Sequence, residues 1–411
     1  MNNFENYCTL FVQNTTNKEG PISPPITSSA SFAYGTPETA QEIFSGKVKK
    51  PLYSRMGNPT TGKLESLLAQ MDGGVGAVAT SSGMGATTLA VMSIVSAGDE
   101  IISIGGLFGG TYSLFSETLD RFGVKTHFFD VDDLTKIKNT INEKTKIIFC
   151  ESVGNPNMRL PDIKKIAQIA TDAGVVFIVD NTITPLSVKP LELGADIVVY
   201  STTKVISGNS SALGGCAVFR SIKDGEDKFK TSRYKDIHKF IDKMGKGALI
   251  ANAKKRALRD FGMSASAHAS YQTILGLETL AIRVQRVSQS IELIVNELNS
   301  AGIKVNHPSL SQHEHNSRYK EFYPNGCGTI FTIDMSTKEK AFKFLNNTKL
   351  ATITANIGDN RTLALHMAST IYSDFTKEQK EFLGISDGLI RISIGLENPK
   401  DIIDDFIKAA S

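Results

Sequence analysis

The sequence predicts an α/β chain, with a large domain on a mostly parallel sheet followed by a smaller α+β domain. Three observations carry this. Apolar, β-branched runs alternate with helical stretches from about residue 59 to 220, the pattern of a parallel sheet covered on both faces. Two of those runs finish in polar residues, where such a sheet presents its ligands. Beyond residue 263 the alternation gives way to one long helical pattern and two separate strand candidates.

Taken in order, residues 1–58 have no sustained period and include the Pro- and Ser-rich PISPPITSSASFAYG. Phe11, Ile22, Ile26, Phe32 and Tyr34 are too many apolar side chains for a solvated tail. An ordered arm is expected, with another subunit as its candidate partner. In the large domain, 59–262, strands are expected at Ile101–Ile104, Lys146–Phe149, Val175–Val179 and Ile197–Val199, with helices at Gly85–Val95 and Ile163–Ala173. Its Lys-rich end, 221–262, reads as helical from Lys228 to Arg259 with most lysines in solvent. In the C-terminal domain, 263–411, a single helix is expected over Tyr271–Asn299, then strands at Thr329–Asp334 and Leu389–Ser393.

Composition narrows the function classes. A net charge of +3, with acids and bases interspersed, gives no nucleic-acid footprint. Four scattered cysteines suit neither a disulfide framework nor a thiolate metal site. No signal-peptide pattern opens the chain, and the apolar runs are strand-length. No metal and no membrane partner are expected, and a cytoplasmic location follows by default.

The strand Val175–Val179 runs into Asp180, and 24 residues later (204 − 180) another buried run ends in Ser201-Thr202-Thr203-Lys204. A carboxylate and an amine on neighbouring strand ends can be a plain ion pair. They can also serve pyridoxal phosphate, whose ring nitrogen needs an acid and whose aldehyde needs an imine-forming amine. In Ala77–Ala86 a strand passes through small residues into a helix, so that free N–H groups and the positive end of the helix dipole face one spot, as a phosphate requires. A simple Ser cap is the plain alternative. A dinucleotide fingerprint, as in a nicotinamide dehydrogenase, is the rival, but Thr88 stands where its third glycine belongs and Asp99 is a weak ribose ligand.

Taken together and in order, several motifs resemble the Cys/Met-metabolism family of pyridoxal 5′-phosphate enzymes, of the aspartate-aminotransferase fold type (fold type I). They are Tyr53–Thr60, Ser81–Ala86, Leu107–Tyr112, Glu151–Pro156, Asp180-Asn181-Thr182, Ser201–Lys204 and Arg391–Glu397. The resemblance runs over nearly the whole chain and implies roles residue by residue. Lys204 matches the Schiff-base lysine and Asp180 the partner of the ring nitrogen. Gly83 and Met84 (backbone) and Ser201 and Thr203 (hydroxyls) match phosphate ligands. Tyr53 and Arg55 match phosphate ligands from a neighbouring subunit, which implies a homo-oligomer, a dimer of dimers, with shared sites. Asn155 matches the residue beside the ring oxygen, Arg391 the clamp for the substrate carboxylate, and Asn356 a residue that also faces that carboxylate, where the family often has Ser.

The chain departs from the pattern at Phe108, where a tyrosine usually stacks on the cofactor ring. Phe keeps the area and loses the hydroxyl, so Tyr53 becomes the candidate substitute. Asn209 stands where relatives commonly have His. Gly110 replaces the cysteine of methionine γ-lyases. Ala355–Leu363 and Ile274–Thr279 resemble the O-acetylhomoserine sulfhydrylase branch, while His366-Met367 and Ile371-Tyr372 deviate from it. The implied reaction replaces the acetate of O-acetylhomoserine by sulfide, supplied free or by a sulfur-carrier protein, and yields homocysteine for methionine biosynthesis. Cystathionine γ-synthase and methionine γ-lyase activities are the alternatives.

Overall fold

In the computed structural model of the protein, which describes residues 4–223, 226 and 228–411, two sheets organise the chain. The larger consists of β1 (Gly76–Thr80), β2 (Glu100–Ile104), β3 (Lys125–Phe129), β4 (Thr145–Glu151), β5 (Val176–Asp180), β6 (Ile197–Tyr200) and β7 (Gly215–Phe219), in the order β1-β7-β6-β5-β4-β2-β3. All neighbouring pairs are parallel except those of β7, which runs against both β1 and β6. Six strands therefore end at one rim. The side chains alternate as a doubly covered sheet requires. Ile148, Phe177, Val179 and Val198 enter one core, and Ile147, Phe149, Val176 and Ile178 the other.

The smaller sheet contains β8 (Val305–Asn306), β9 (Ile330–Asp334), β10 (Thr352–Ile353), β11 (Leu363–His366) and β12 (Leu389–Ser393), ordered β10-β11-β12-β9-β8. Phe331, Ile333, Ile390 and Ile392 pack against its helices. On the opposite side, Leu365, Arg391, Thr332 and Asn306 form one cross-strand row. Arg391 is thereby fixed on a rigid strand rather than on a loop.

Two expectations need correction. Residues 1–58 are not irregular throughout. Phe4–Thr15 is helix α1 and Pro37–Phe44 is helix α2, opened by the Thr36 cap. Phe4, Tyr7, Cys8 and Phe11 recur at helical spacing on α1, and fully buried Phe11 joins the chain's own core. The stretch that remains outward includes Ile22, Phe44 and Tyr53, all exposed. The helix expected over Tyr271–Asn299 is two helices, Ala267–Glu278 and Leu280–Ser300, parted at Thr279. Near the end of the first helix, Gly276 permits a close approach, because a Cβ there would lie 2.6 Å from the Ser207 carbonyl oxygen. The first helix is held against the loop that follows Lys204, and the second sets off to cover the small sheet.

Among the described residues no helix is long and apolar enough to cross a membrane.

Candidate active site

The rim where β1, β4, β5 and β6 end, closed over by β12, bounds a cleft of about 250 Å³. Gly83, Met84, Phe108, Asn155, Asp180, Ser201, Thr203, Lys204 and Arg391 all line it. The sequence thus named nine residues, separated by up to 308 positions (391 − 83), that the fold brings to one place.

Asp180 closes β5 in register with Glu151 at the end of β4. Burial raises the Asp180 carboxyl to about 6, only partly countered by hydrogen bonds from Thr182. The Thr182 N–H donates to Asp180 Oδ1 at 2.9 Å, and the Thr182 hydroxyl accepts from the Ser201 N–H at 2.8 Å. Thr182 therefore ties the acid strand to the phosphate strand. In the sequence, the signal for this role is the turn that a strand-end acid makes with the residue two positions on. Glu151 is raised well above the carboxylate range by burial and then by Asp180, and its Oε1 accepts the Phe108 N–H at 2.6 Å.

Lys204 Nζ donates to Asn356 Oδ1 at 2.6 Å. Burial lowers the amine to about 8, with the Arg391 cation adding to the effect. A lysine so depressed gives up its proton far more readily than a solvated one, which makes the free, nucleophilic amine accessible. Arg391 is buried and itself lowered to about 10 by desolvation. It donates to Asn155 Oδ1 at 3.2 Å and to the Asn356 carbonyl at 3.4 Å. Both are neutral acceptors, so the guanidinium faces the cleft with its charge uncompensated, as suits a carboxylate.

The candidate phosphate cradle lies where β1 turns into helix α4, after α3 (Pro59–Asp72). Helix α4 spans Gly83–Met92 and starts two residues before the expected Gly85. Ser82 caps it by accepting the Gly85 N–H at 3.0 Å. The Gly83 and Met84 N–H groups, at the first two helical positions, have no partner within the helix. A Cβ on Gly83 would lie 2.5 Å from Ser201 Cβ, so only glycine lets the helix start approach the Ser201 hydroxyl this closely. Thr203 Oγ1 lies beside them, exchanging hydrogen bonds with Gly214. Two free amides, two hydroxyls, a buried acid and a depressed lysine match the phosphate, ring nitrogen and aldehyde of pyridoxal phosphate in one cleft. The glycine fingerprint of a dinucleotide has no such use for Lys204.

Tyr53 and Arg55 do not join them. Tyr53 is 46 % exposed. Arg55 stacks over its ring at 5.7 Å and donates to the Arg259 carbonyl at 2.6 Å. Neither lines the cleft of its own chain. Asn209 builds a turn: its Oδ1 accepts from the Ser211 N–H at 3.2 Å and from the Ser211 hydroxyl at 2.6 Å.

Comparison with known proteins gives the same picture. The family described as Cys/Met metabolism PLP-dependent enzyme matches residues 8–411. An O-acetyl-L-homoserine sulfhydrylase of Leptospira meyeri is 36% identical over 94% of this chain and 91% of its own length. An L-methionine gamma-lyase of Fusobacterium nucleatum subsp. polymorphum is 33% identical over 95% and 93%. A crystal structure described as an O-acetylhomoserine (thiol)-lyase of Campylobacter jejuni, containing N′-pyridoxyl-lysine-5′-monophosphate, superposes with a TM-score of 0.93. It is 34% identical and covers 98% of this chain and 99% of that one.

Proposed function

Because the chain belongs to the Cys/Met metabolism family of pyridoxal-phosphate-dependent enzymes, we propose that it exchanges the acetate of O-acetylhomoserine for sulfide, yielding homocysteine. The observation that carries the choice within the family is the loop Ala355–Leu363. Its sequence is sulfhydrylase-like, and its Asn356 stands on Lys204 Nζ at 2.6 Å. The net reaction balances as O-acetylhomoserine plus HS⁻ giving homocysteine plus acetate.

When bound, the cofactor supplies the electron sink that acidifies the substrate's Cα–H and then Cβ–H bonds. The chain's residues do the rest. Arg391 holds the α-carboxylate. Lys204 Nζ, near 8 and so able to gain and lose a proton at neutral pH, takes the proton from Cα and later from Cβ. Asp180 keeps the ring nitrogen protonated, and Gly83, Met84, Ser201 and Thr203 hold the phosphate. Phe108, Ile183, Leu213 and Ile357 give the cleft an apolar wall that keeps water from the γ-carbon while acetate leaves and sulfide enters. The hydroxyl that Phe108 lacks is supplied, in this reading, by Tyr53 of a second copy, whose Arg55 completes the phosphate site. The outward position of both residues supports that arrangement.

Product analysis tests the assignment. Homocysteine should form from O-acetylhomoserine and sulfide. Cystathionine from O-succinylhomoserine and cysteine, or methanethiol from methionine, formed at a comparable rate would overturn it in favour of a cystathionine synthase or a γ-lyase.

A further inference from the structure

The loop after Lys204 and the loop 355–361 meet closely beside the cleft. A Cβ on Gly358 would lie 2.6 Å from Val205 Cγ2, and the Asn360 N–H donates to the Gly208 carbonyl at 2.7 Å. At this contact four polar side chains form one line. Lys204 Nζ donates to Asn356 Oδ1, Asn356 Nδ2 donates to Ser210 Oγ at 2.9 Å, and Ser210 Oγ donates to Asp359 Oδ2. The two ends dictate the direction, since a lysine ammonium only donates and a carboxylate only accepts. The amide and the hydroxyl between them could each face either way. The carboxylate end is firmly anchored: Asp359 is buried, and its Oδ1 accepts both the N–H and the guanidinium of Arg361 at 2.9 Å. Ser210 is held at φ 57, the left-handed region, by the turn that Asn209 builds. A non-glycine residue is uncommon there.

We infer that Ser210 and Asp359 are positioning residues that fix the Asn356 amide with its oxygen toward Lys204 and its N–H₂ away from the cleft. An amide oxygen on Nζ favours the charged nitrogen, whereas a flipped amide would set a donor against it. The orientation also withholds the amide's donors from an incoming α-carboxylate, which is left to Arg391. In this chain Asn356 therefore serves the lysine rather than the substrate. The inference rests on family membership and not on the choice of acylated substrate.

The test reads the resting holoenzyme without substrate, through the pH midpoint of its visible absorption band. Ser210→Gly removes the hydroxyl and suits the left-handed backbone. It should lower the midpoint by about one pH unit and lower kcat several-fold, with KM for the amino-acid substrate unchanged or reduced. Asp359→Asn removes the anchor without removing the hydroxyl and should move the midpoint in the same direction. In an Asn356→Ser background the hydroxyl rotates freely and needs no orienting partner, so adding Ser210→Gly should change nothing further. An unmoved midpoint in both single variants, or the same displacement in the Asn356→Ser background, overturns the inference.

Discussion

The strand rim of the large sheet and the loop around Tyr53–Arg55 offer groups to the same proposed ligand in opposite states of completion. At the rim, Asp180, Ser201, Thr203 and Lys204 are anchored by buried strands and already converge. In the loop, Tyr53 is exposed and Arg55 is parked on the Arg259 carbonyl. Neither lines the cleft of its own chain. The difference teaches that one chain already gathers most of the candidate groups; on the proposed function, the last phosphate ligands and the hydroxyl missing at Phe108 would come from a second copy.

The largest effect that can break this comparison comes from mixing two damaged chains. Lys204→Ala should lose the visible band and at least about 10³-fold in kcat, and Arg55→Ala should weaken the phosphate site. If sites are shared across a two-fold axis, dissociating and reassociating the two variants together should restore up to about a quarter of wild-type activity, because each hybrid dimer has one site with both residues intact. No recovery would place Arg55 in the service of its own chain.

A smaller effect sharpens the rim half. The native Asp180 carboxyl, at about 6 against 3.8, favours folding only while protonated, so its contribution is present at low pH and lost as the pH rises through about 6. In cofactor-stripped protein at pH 8, Asp180→Asn should therefore raise stability by on the order of 2 kcal/mol. That advantage should vanish near pH 4, while the loaded variant loses turnover. Urea denaturation at the two pH values checks this. A variant less stable at pH 8 would mean that Asp180 has a partner in the free chain.

The smallest effect concerns Lys204. Uptake of the cofactor by stripped protein, followed by absorbance, should speed up with pH and level off above about 8, since only the unprotonated amine attacks. Arg391→Leu removes a neighbouring cation and should displace that midpoint upward. A downward displacement would contradict the assigned coupling.

Much of this was legible in the sequence because buried parallel strands are continuous apolar runs. Leu389–Ser393 was read to the residue, and Ile197–Val199 to within one of β6. The site was legible because its residues sit where those runs stop. The edge strand β3 was missed: it is only partly buried along its length, and His127 and Lys125 interrupt its apolar pattern. The reversal of β7 leaves no mark in composition. The break at Thr279 falls inside a continuous helical pattern with no proline to mark it. The Asn356–Ser210–Asp359 line was hidden because it joins distant segments: Ser210 lies 146 residues from Asn356 and 149 from Asp359. The helical spacing of Phe4, Tyr7, Cys8 and Phe11, by contrast, was open to view and was masked only by the proline-rich stretch beside it.

Gly110 has a consequence for how such an enzyme can change over time. A Cβ there would lie 2.7 Å from the Phe108 ring and 3.3 Å from Met84 Sδ. The missing side chain and the resting pose of that ring are therefore one choice. A cysteine of the lyase kind can enter at 110 only if the ring swings aside. Positions 108 and 110 should then be epistatic, each substitution judged by the other, so that the path from this catalyst toward a γ-lyase narrows at that pair.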